Sequence, residues 1–223
     1  MKKKLIDIVL LRHAQSKGNV DHNEYKNKNN FDIDLSHLGE KQITQLGNIP
    51  LFSEYDDVDG AKLMIKCSPM LRAKKTAKGV IDCLINEHKI IEQNISIDYD
   101  LSLIERHIGN ADGYKSLNHF FQHLPEPAQE AEKRHKQGIL YRPPQGESLY
   151  DVYLRIKAFH YNLLDELRRM KLEYYKHTVL IVSHCVTLTI YKRFLTGDIE
   201  LNPNDTSYDF QENCSYFKFP LVV

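Results

Sequence analysis

Apolar residues fall into strand-length runs separated by stretches of helical period. Leu5-Ile6-Asp7-Ile8-Val9-Leu10-Leu11 is a first β-branched and leucine run, closed by Arg12. Lys62-Leu63-Met64-Ile65-Lys66-Cys67 predicts a second strand, residues 90–100 a third and Thr178–Ser183 a buried fourth. Cys214–Phe219 alternates and predicts a last one. Between these runs, Ser36 is placed to N-cap a helix holding Lys41, Ile43 and Leu46, with Gly47 as its stop. Ser68-Pro69 offers the preferred N-cap and first-position pair for a helix straight after the second strand, with Arg72 in its first turn. Ser148 and Asp151 form a capping box, and Val152, Ile156, Phe159, Leu163, Leu167 and Met170 keep the 3–4 spacing of one buried helical face. A helix through Leu188, Tyr191 and Leu195 stops at Gly197. Strands alternating with helices predict an α/β layer fold with a largely parallel sheet.

Two segments break the pattern. Residues 20–34 are polar, with Asn27, Asn29 and Asn30, and predict a loop over whatever the first strand presents. Residues 114–142 are mixed, and Pro125 and Pro127 divide them into two helical pieces expected to form an insertion over the site. His119 and His123 have the i, i+4 spacing of helical metal ligands, yet no third ligand has a clear claim, so they read as exposed histidines. Glu54 to Asp59 reads as an acidic surface loop, and Asp57-x-Asp59-Gly60 is too short for a calcium site.

Composition narrows the function classes. The 223 residues suit one domain spanning 1–223. Thirty basic residues balance thirty acidic ones, so nothing marks a nucleic-acid or anionic-membrane partner. Cys67, Cys83, Cys185 and Cys214 lie far apart with no Cys-x-x-Cys pair, which argues against structural zinc and fits reduced thiols in a cytoplasmic setting. Met1-Lys2-Lys3-Lys4 before an apolar run imitates a secretory signal, but Asp7 interrupts the run and no small-residue cleavage site follows. No apolar stretch is long enough to span a membrane.

The chemistry starts where the first strand ends. Arg12 and His13 stand side by side there: a planar fork of donors matched to phosphate oxygens, and a side chain able to act as nucleophile or base near neutral pH. Arg72, Glu105 and His184 also fall just after expected strands. In a parallel sheet, ligands bind beyond the carboxyl ends of the strands, so four segments converge on one edge. No Walker-type glycine loop and no carboxylate cluster for magnesium is present, so the residues do not suggest metal-dependent phosphoryl transfer.

Arg12-His13-Ala14-Gln15-Ser16, with Asn19, resembles the Arg-His-Gly-Glu-Ser…Asn signature of the histidine phosphatase superfamily. Leu35-Ser36-His37-Leu38-Gly39-Glu40-Lys41-Gln42, Ser68-Pro69-Met70-Leu71-Arg72-Ala73-Lys74-Lys75-Thr76-Ala77, Pro144-Gln145-Gly146-Glu147-Ser148 and Val182-Ser183-His184 resemble its further elements. Ala14, Gln15 and Cys185 depart from the usual Gly, Glu and Gly. The resemblance implies a three-layer α/β fold with helices on both faces of the sheet. It also implies a metal-independent phosphomonoesterase that needs no cofactor and acts on a small phosphorylated metabolite. His13 would be the nucleophile, and Arg12, Arg72 and His184 would hold the phosphate, with a neutral hydrogen bond from Asn19. Glu105 lies in a segment resembling the family's Leu-x-Glu…Gly proton donor, in what should be a partly desolvated mouth where the protonated carboxyl is favoured. Two alternatives stay open. Glu105-Arg106-His107-Ile108-Gly109 is similar to the Glu-Arg-His-Tyr-Gly of cofactor-dependent phosphoglycerate mutases, although no adjacent Arg pair precedes the Pro-rich segment. Ala14, Gln15 and Cys185 admit a degenerate phosphate-binding protein.

Overall fold

The structure, a computed structural model, describes residues 5–46, 62–87, 91–114, 117–135, 139–170, 177–198 and 212–222. The Gly47 stop, the Glu54 to Asp59 loop and the Asp57-x-Asp59-Gly60 segment lie outside the described residues. Five strands form one sheet: β1 (Leu5–Arg12), β2 (Lys62–Cys67), β3 (Ile95–Tyr99), β4 (His177–Ser183) and β5 (Tyr216–Val222), in the order β3-β2-β4-β1-β5. β1, β2, β3 and β4 run parallel, and β5 closes one edge antiparallel to β1. The last strand begins at Tyr216 rather than Cys214, because Cys214 takes a positive φ of 60° that no strand accepts.

The three central strands, β1, β2 and β4, are buried on both faces, while the edge strands β3 and β5 are half-buried or exposed. Ile6, Ile8 and Leu10 of β1 join Val179 and Ile181 of β4 in one core. Val9 and Leu11 join Leu180 and Val182, with Leu63 and Ile65 of β2, in the other. The period of two along each strand therefore serves two layers of helix. On the first face lie the long helix Leu149–Arg169 and the helix Cys185–Thr196. Val152, Ile156, Phe159, Leu163 and Leu167 of the former are buried as their spacing predicts. Met170 is not: the helix ends before it, and it is 38% exposed at the C-cap. The Ser148–Asp151 capping box forms, with Ser148 Oγ accepting from the Asp151 N–H. Gly197, at φ 73°, ends the second helix in the left-handed region where a side chain would be strained.

The opposite face carries the helix Leu71–Asn86, whose Ala73, Ala77, Val80 and Leu84 enter the second core. It begins two residues later than the Ser68-Pro69 pair suggests, with Met70 at the N-cap. Ser68 has another task, described below. The short helix His37–Thr44 packs beside it, N-capped by Ser36, which accepts from the Gly39 N–H at 3.0 Å. After the single-turn helix Lys17–Val20, residues 20–34 hold a second one, Glu24–Asn27, and a 3-10 turn, Asn30–Asp32. Two helices, Leu117–Gln122 and Glu126–His135, flank the Leu124-Pro125 break. No helix among the described residues is long and apolar enough to cross a membrane.

Gly39 allows a close approach of two backbone segments. A Cβ there would lie 2.0 Å from the backbone oxygen of Gln15, which cannot swing aside as a side chain can. Gly39→Ala should therefore destabilise the protein by about 1–3 kcal/mol despite alanine's better helix propensity. Urea unfolding measures it, and an unchanged midpoint would show that the helix His37–Thr44 can slide without cost.

Candidate active site

Three neighbouring strand ends build the site. The register pairs Arg12 with Ser183 and Cys67 with Val182, so the residues following β1, β2 and β4 emerge level. The His13 N–H donates to the Ser183 carbonyl at 3.0 Å, and the Ser68 N–H to that of Val182 at 2.9 Å. His13 and His184 meet with ring centroids 4.9 Å apart, edge to face, and both are buried. Arg12 ends β1 almost fully buried, and Arg72, in the first turn of its helix, is 1% exposed.

The hydrogen bonds assign each histidine a tautomer. His13 Nδ1 lies 2.7 Å from the Ala14 carbonyl, which only accepts, so Nδ1 carries the proton and Nε2 keeps its lone pair. His184 Nε2 lies 2.8 Å from Ser68 Oγ. Ser68 Oγ accepts the Met70 N–H at 3.4 Å, and among the described residues His184 Nε2 is the acceptor within reach of its own hydrogen; satisfying that hydrogen leaves the imidazole proton on Nδ1. His184 Nδ1 is buried without a protein partner among the described residues, as is Arg72 Nε. The other Arg72 nitrogens are held by the Asn30 carbonyl at 2.8 Å and by Met70 Sδ. One ring therefore offers a lone pair and the other an N–H donor.

Burial pushes both imidazoles well below their ordinary pKa, with Arg72 next in effect; Arg12 acts in the same sense on each. Both are neutral at neutral pH. Burial also lowers Arg72 from its ordinary value, opposed by Tyr25 and Glu105.

Glu105 sits in the loop after β3 and the 3-10 turn Leu101–Leu103. Its half-buried carboxylate accepts from the backbone N–H groups of Val186 and Thr187, each at 3.3 Å, in the first turn of the helix Cys185–Thr196. The Arg106 N–H donates to it at 2.9 Å. A helix N-terminus is where a carboxylate is best accommodated, and it seats Glu105 beside His184. Glu147 and Arg155 brace the loop. Glu147 accepts from the His107 N–H and from Arg155 Nε, each at 2.9 Å, while Arg155 also donates to the Ser102 carbonyl. Thr187 Oγ1 donates to the Ile104 carbonyl at 2.6 Å.

Asn19 also holds the backbone of the site together. Its Oδ1 accepts from Ser16 N–H and Ser16 Oγ in a capping box, and from Asn213 Nδ2 at 3.3 Å. Its carbonyl oxygen thus holds the turn after His13, and only its Nδ2 is left as a donor toward a ligand. Asn213, from just before β5, also donates to the His13 carbonyl at 3.0 Å. It escaped the sequence reading because a lone Asn before a strand carries no spacing signal. Arg155 escaped because its helical position reads as solvated surface. The structure brings His13, Arg12, Arg72 and His184 to one edge and sets Glu105 beside His184. His119 meets Tyr114 edge-on and His123 meets it at a tilt; His123 is exposed as expected, whereas His119 is half-buried.

This is an α/β protein with paired histidines and paired arginines at the carboxyl edge of a parallel sheet. The chain belongs to the histidine phosphatase superfamily (branch 1), whose model matches residues 8–218. It is 30% identical over 152 residues to fructose-2,6-bisphosphatase TIGAR of Xenopus tropicalis, a match covering 68% of this chain and 47% of that protein. The match thus spans about half the length of that relative. Its fold matches mycobacterial glucosyl-3-phosphoglycerate phosphatase with a TM-score of 0.67 at 19% identity, over 97% of this chain and 91% of the other. Phosphoglycerate mutase from Bacillus anthracis matches with 0.64 at 19% identity, over 98% and 89%.

The two lowered histidines set a pH dependence of stability. A histidine whose folded pKa lies below its unfolded value contributes stability in full above about pH 6.5 and loses it as the pH falls further. Burial lowers His160 as well. Between pH 7.5 and 5.5 the folded state should lose up to about 1.4 kcal/mol for each histidine that stays neutral. Melting temperatures across that range test this, and a flat profile would mean the rings ionise without unfolding.

Proposed function

We propose that the protein is a phosphomonoesterase that works through a phosphohistidine on His13, with a small phosphorylated metabolite as substrate. The carrying observation is the opposite tautomers of two touching histidines beside two buried arginines. His13 Nε2 supplies the lone pair, while His184 Nδ1, Arg12 and Arg72 supply donors suited to phosphate oxygens. The TIGAR relative is a fructose-2,6-bisphosphatase and the mycobacterial neighbour a glucosyl-3-phosphoglycerate phosphatase, which supports this class of reaction. Among the described residues the four cysteines form no disulfide, which supports a cytoplasmic setting.

His13 Nε2 attacks phosphorus in line, and the ester P–O bond breaks as the Glu105 carboxyl gives its proton to the leaving alkoxide. Water then attacks the phosphohistidine and loses a proton to the Glu105 carboxylate, which frees His13 and inorganic phosphate. Arg12, Arg72 and His184 offset the charge on the equatorial oxygens, with Asn19 Nδ2 adding a neutral bond. The steps close on these side chains and water, without a cofactor. The segment at 114–142 would shape what enters. Arg142, just before the Pro-rich segment, is paired with Asp151 at 2.8 Å, which favours the phosphatase over a mutase that clamps a carboxylate there.

Brief mixing with a labelled phosphate ester, followed by alkaline denaturation, should leave acid-labile label on the peptide holding His13. His13→Ala should abolish label and turnover together, and label on His184 would reverse the assigned roles.

Glu105→Gln should slow alkyl phosphates by on the order of 100–10,000-fold and a nitrophenyl ester far less, because nitrophenolate leaves without a proton. Equal losses on both would make Glu105 a binding group and remove it as the acid.

A further inference from the structure

Tyr25 brings a phenol into the cluster of Arg12, Arg72 and Glu105. It belongs to the one-turn helix Glu24–Asn27, in a segment that reads as a plain polar loop. Two glycines seat that helix. A Cβ on buried Gly18 would lie 2.6 Å from Tyr25 Cζ and 2.8 Å from its hydroxyl oxygen, so the tip of the ring rests directly on the turn after His13. A Cβ on Gly113, at φ 85°, would lie 2.1 Å from Lys26 Cγ, and Lys26 Nζ sits 4.6 Å from the Tyr114 ring centroid. The helix is thereby docked through two adjacent side chains, Tyr25 against Gly18 and Lys26 against Gly113. The Tyr25 hydroxyl lies near the Ser16 side chain and within the fields of Arg72, Glu105 and Arg12. The same segment ties down Arg72 through the Asn30 carbonyl.

We propose that Tyr25 is a substrate-contacting residue, its phenol O–H donating to an oxygen of the bound phosphoryl group beside Arg12 and Arg72, in space that Gly18 leaves open. The inference rests on the phosphatase reading and adds to it a donor that neither the spacing of the motifs nor the strand ends supplies. Burial raises the phenol's pKa above its ordinary value, so it remains a neutral donor throughout the neutral range. A neutral donor also has a use that a third arginine would not: it adds a bond to phosphate without further repulsion between cations.

Tyr25→Phe keeps the ring on Gly18 and removes only the hydroxyl. It should lower kcat/KM for a simple phosphate ester, and the affinity for inorganic phosphate measured by calorimetry, each by on the order of 10–100-fold, at an unchanged melting temperature. Changes within twofold in both would overturn the proposal and leave Tyr25 as packing. Phosphate titrated into the unaltered protein should also perturb the near-ultraviolet tyrosine absorbance, a readout that does not depend on the variant folding. An unperturbed spectrum at saturation would overturn the contact. If the protein binds phosphate but hydrolyses no ester, the phosphatase reading falls and the affinity ratio still decides the tyrosine contact. If it binds no phosphate, both fall.

Discussion

Everything at the site depends on the register of three parallel strands. Pairing Arg12 with Ser183 and Cys67 with Val182 ends β1, β4 and β2 at one level, so that His13, His184 and Ser68 follow side by side. A one-residue slip would turn every side chain of the slipped strand to the other face. Two distinct apolar layers prevent it: Ile8 and Leu10 are committed to one core, Val9 and Leu11 to the other. The positions of the reacting groups are thus set by packing tens of residues long, and the loops that carry them need little stiffness of their own. Backbone bonds from His13 to Ser183 and from Ser68 to Val182 extend the sheet by one rung and stop there.

The second constraint is electrostatic. Burying two histidines beside two arginines is unfavourable for any charged imidazole, and both rings respond by staying neutral. Neutrality is what a nitrogen nucleophile requires, so the desolvation that makes the site costly also prepares it. Neutral rings still need their protons placed, and the Ala14 carbonyl and the Ser68 hydroxyl place them at opposite nitrogens. The unpartnered donors, Arg72 Nε and His184 Nδ1, remain a local destabilisation that an anion would relieve.

Much of this was legible in the sequence because it lies in runs and caps. The runs of β1, β2 and β4, the Ser36 and Ser148 caps and the Gly197 stop are local signals, and the structure places them as read. Ser68 shows where local reasoning fails. Its position before Pro69 is a textual N-cap, yet the helix starts at Leu71 because the serine hydroxyl is taken by His184, 116 residues away in the chain. Met170 continues a 3–4 spacing that ends one turn short of it, because the helix terminates. Asn213, Arg155 and Tyr25 were not legible for the same reason: each acts through a partner distant in sequence, and none belongs to a periodic pattern.

The departures Ala14 and Gln15 bear on whether such a site is active or degenerate, and their contacts support the proposed activity. The Ala14 N–H donates to Thr76 Oγ1 at 3.0 Å, its Cβ is fully buried, and its carbonyl still orients His13. The Gln15 side chain accepts from Ser36 Oγ at 2.7 Å, while its backbone N–H donates to Gln42 Oε1 and its carbonyl accepts from the Ser36 N–H. It is engaged with the N-terminus of the helix His37–Thr44, where an amide can serve as well as a carboxylate because a hydroxyl needs only one acceptor. Cys185, the third departure, opens its helix and packs partly against the first core. All three changes are absorbed by the scaffold around the two rings, and none removes a lone pair, an N–H or a guanidinium from the site itself.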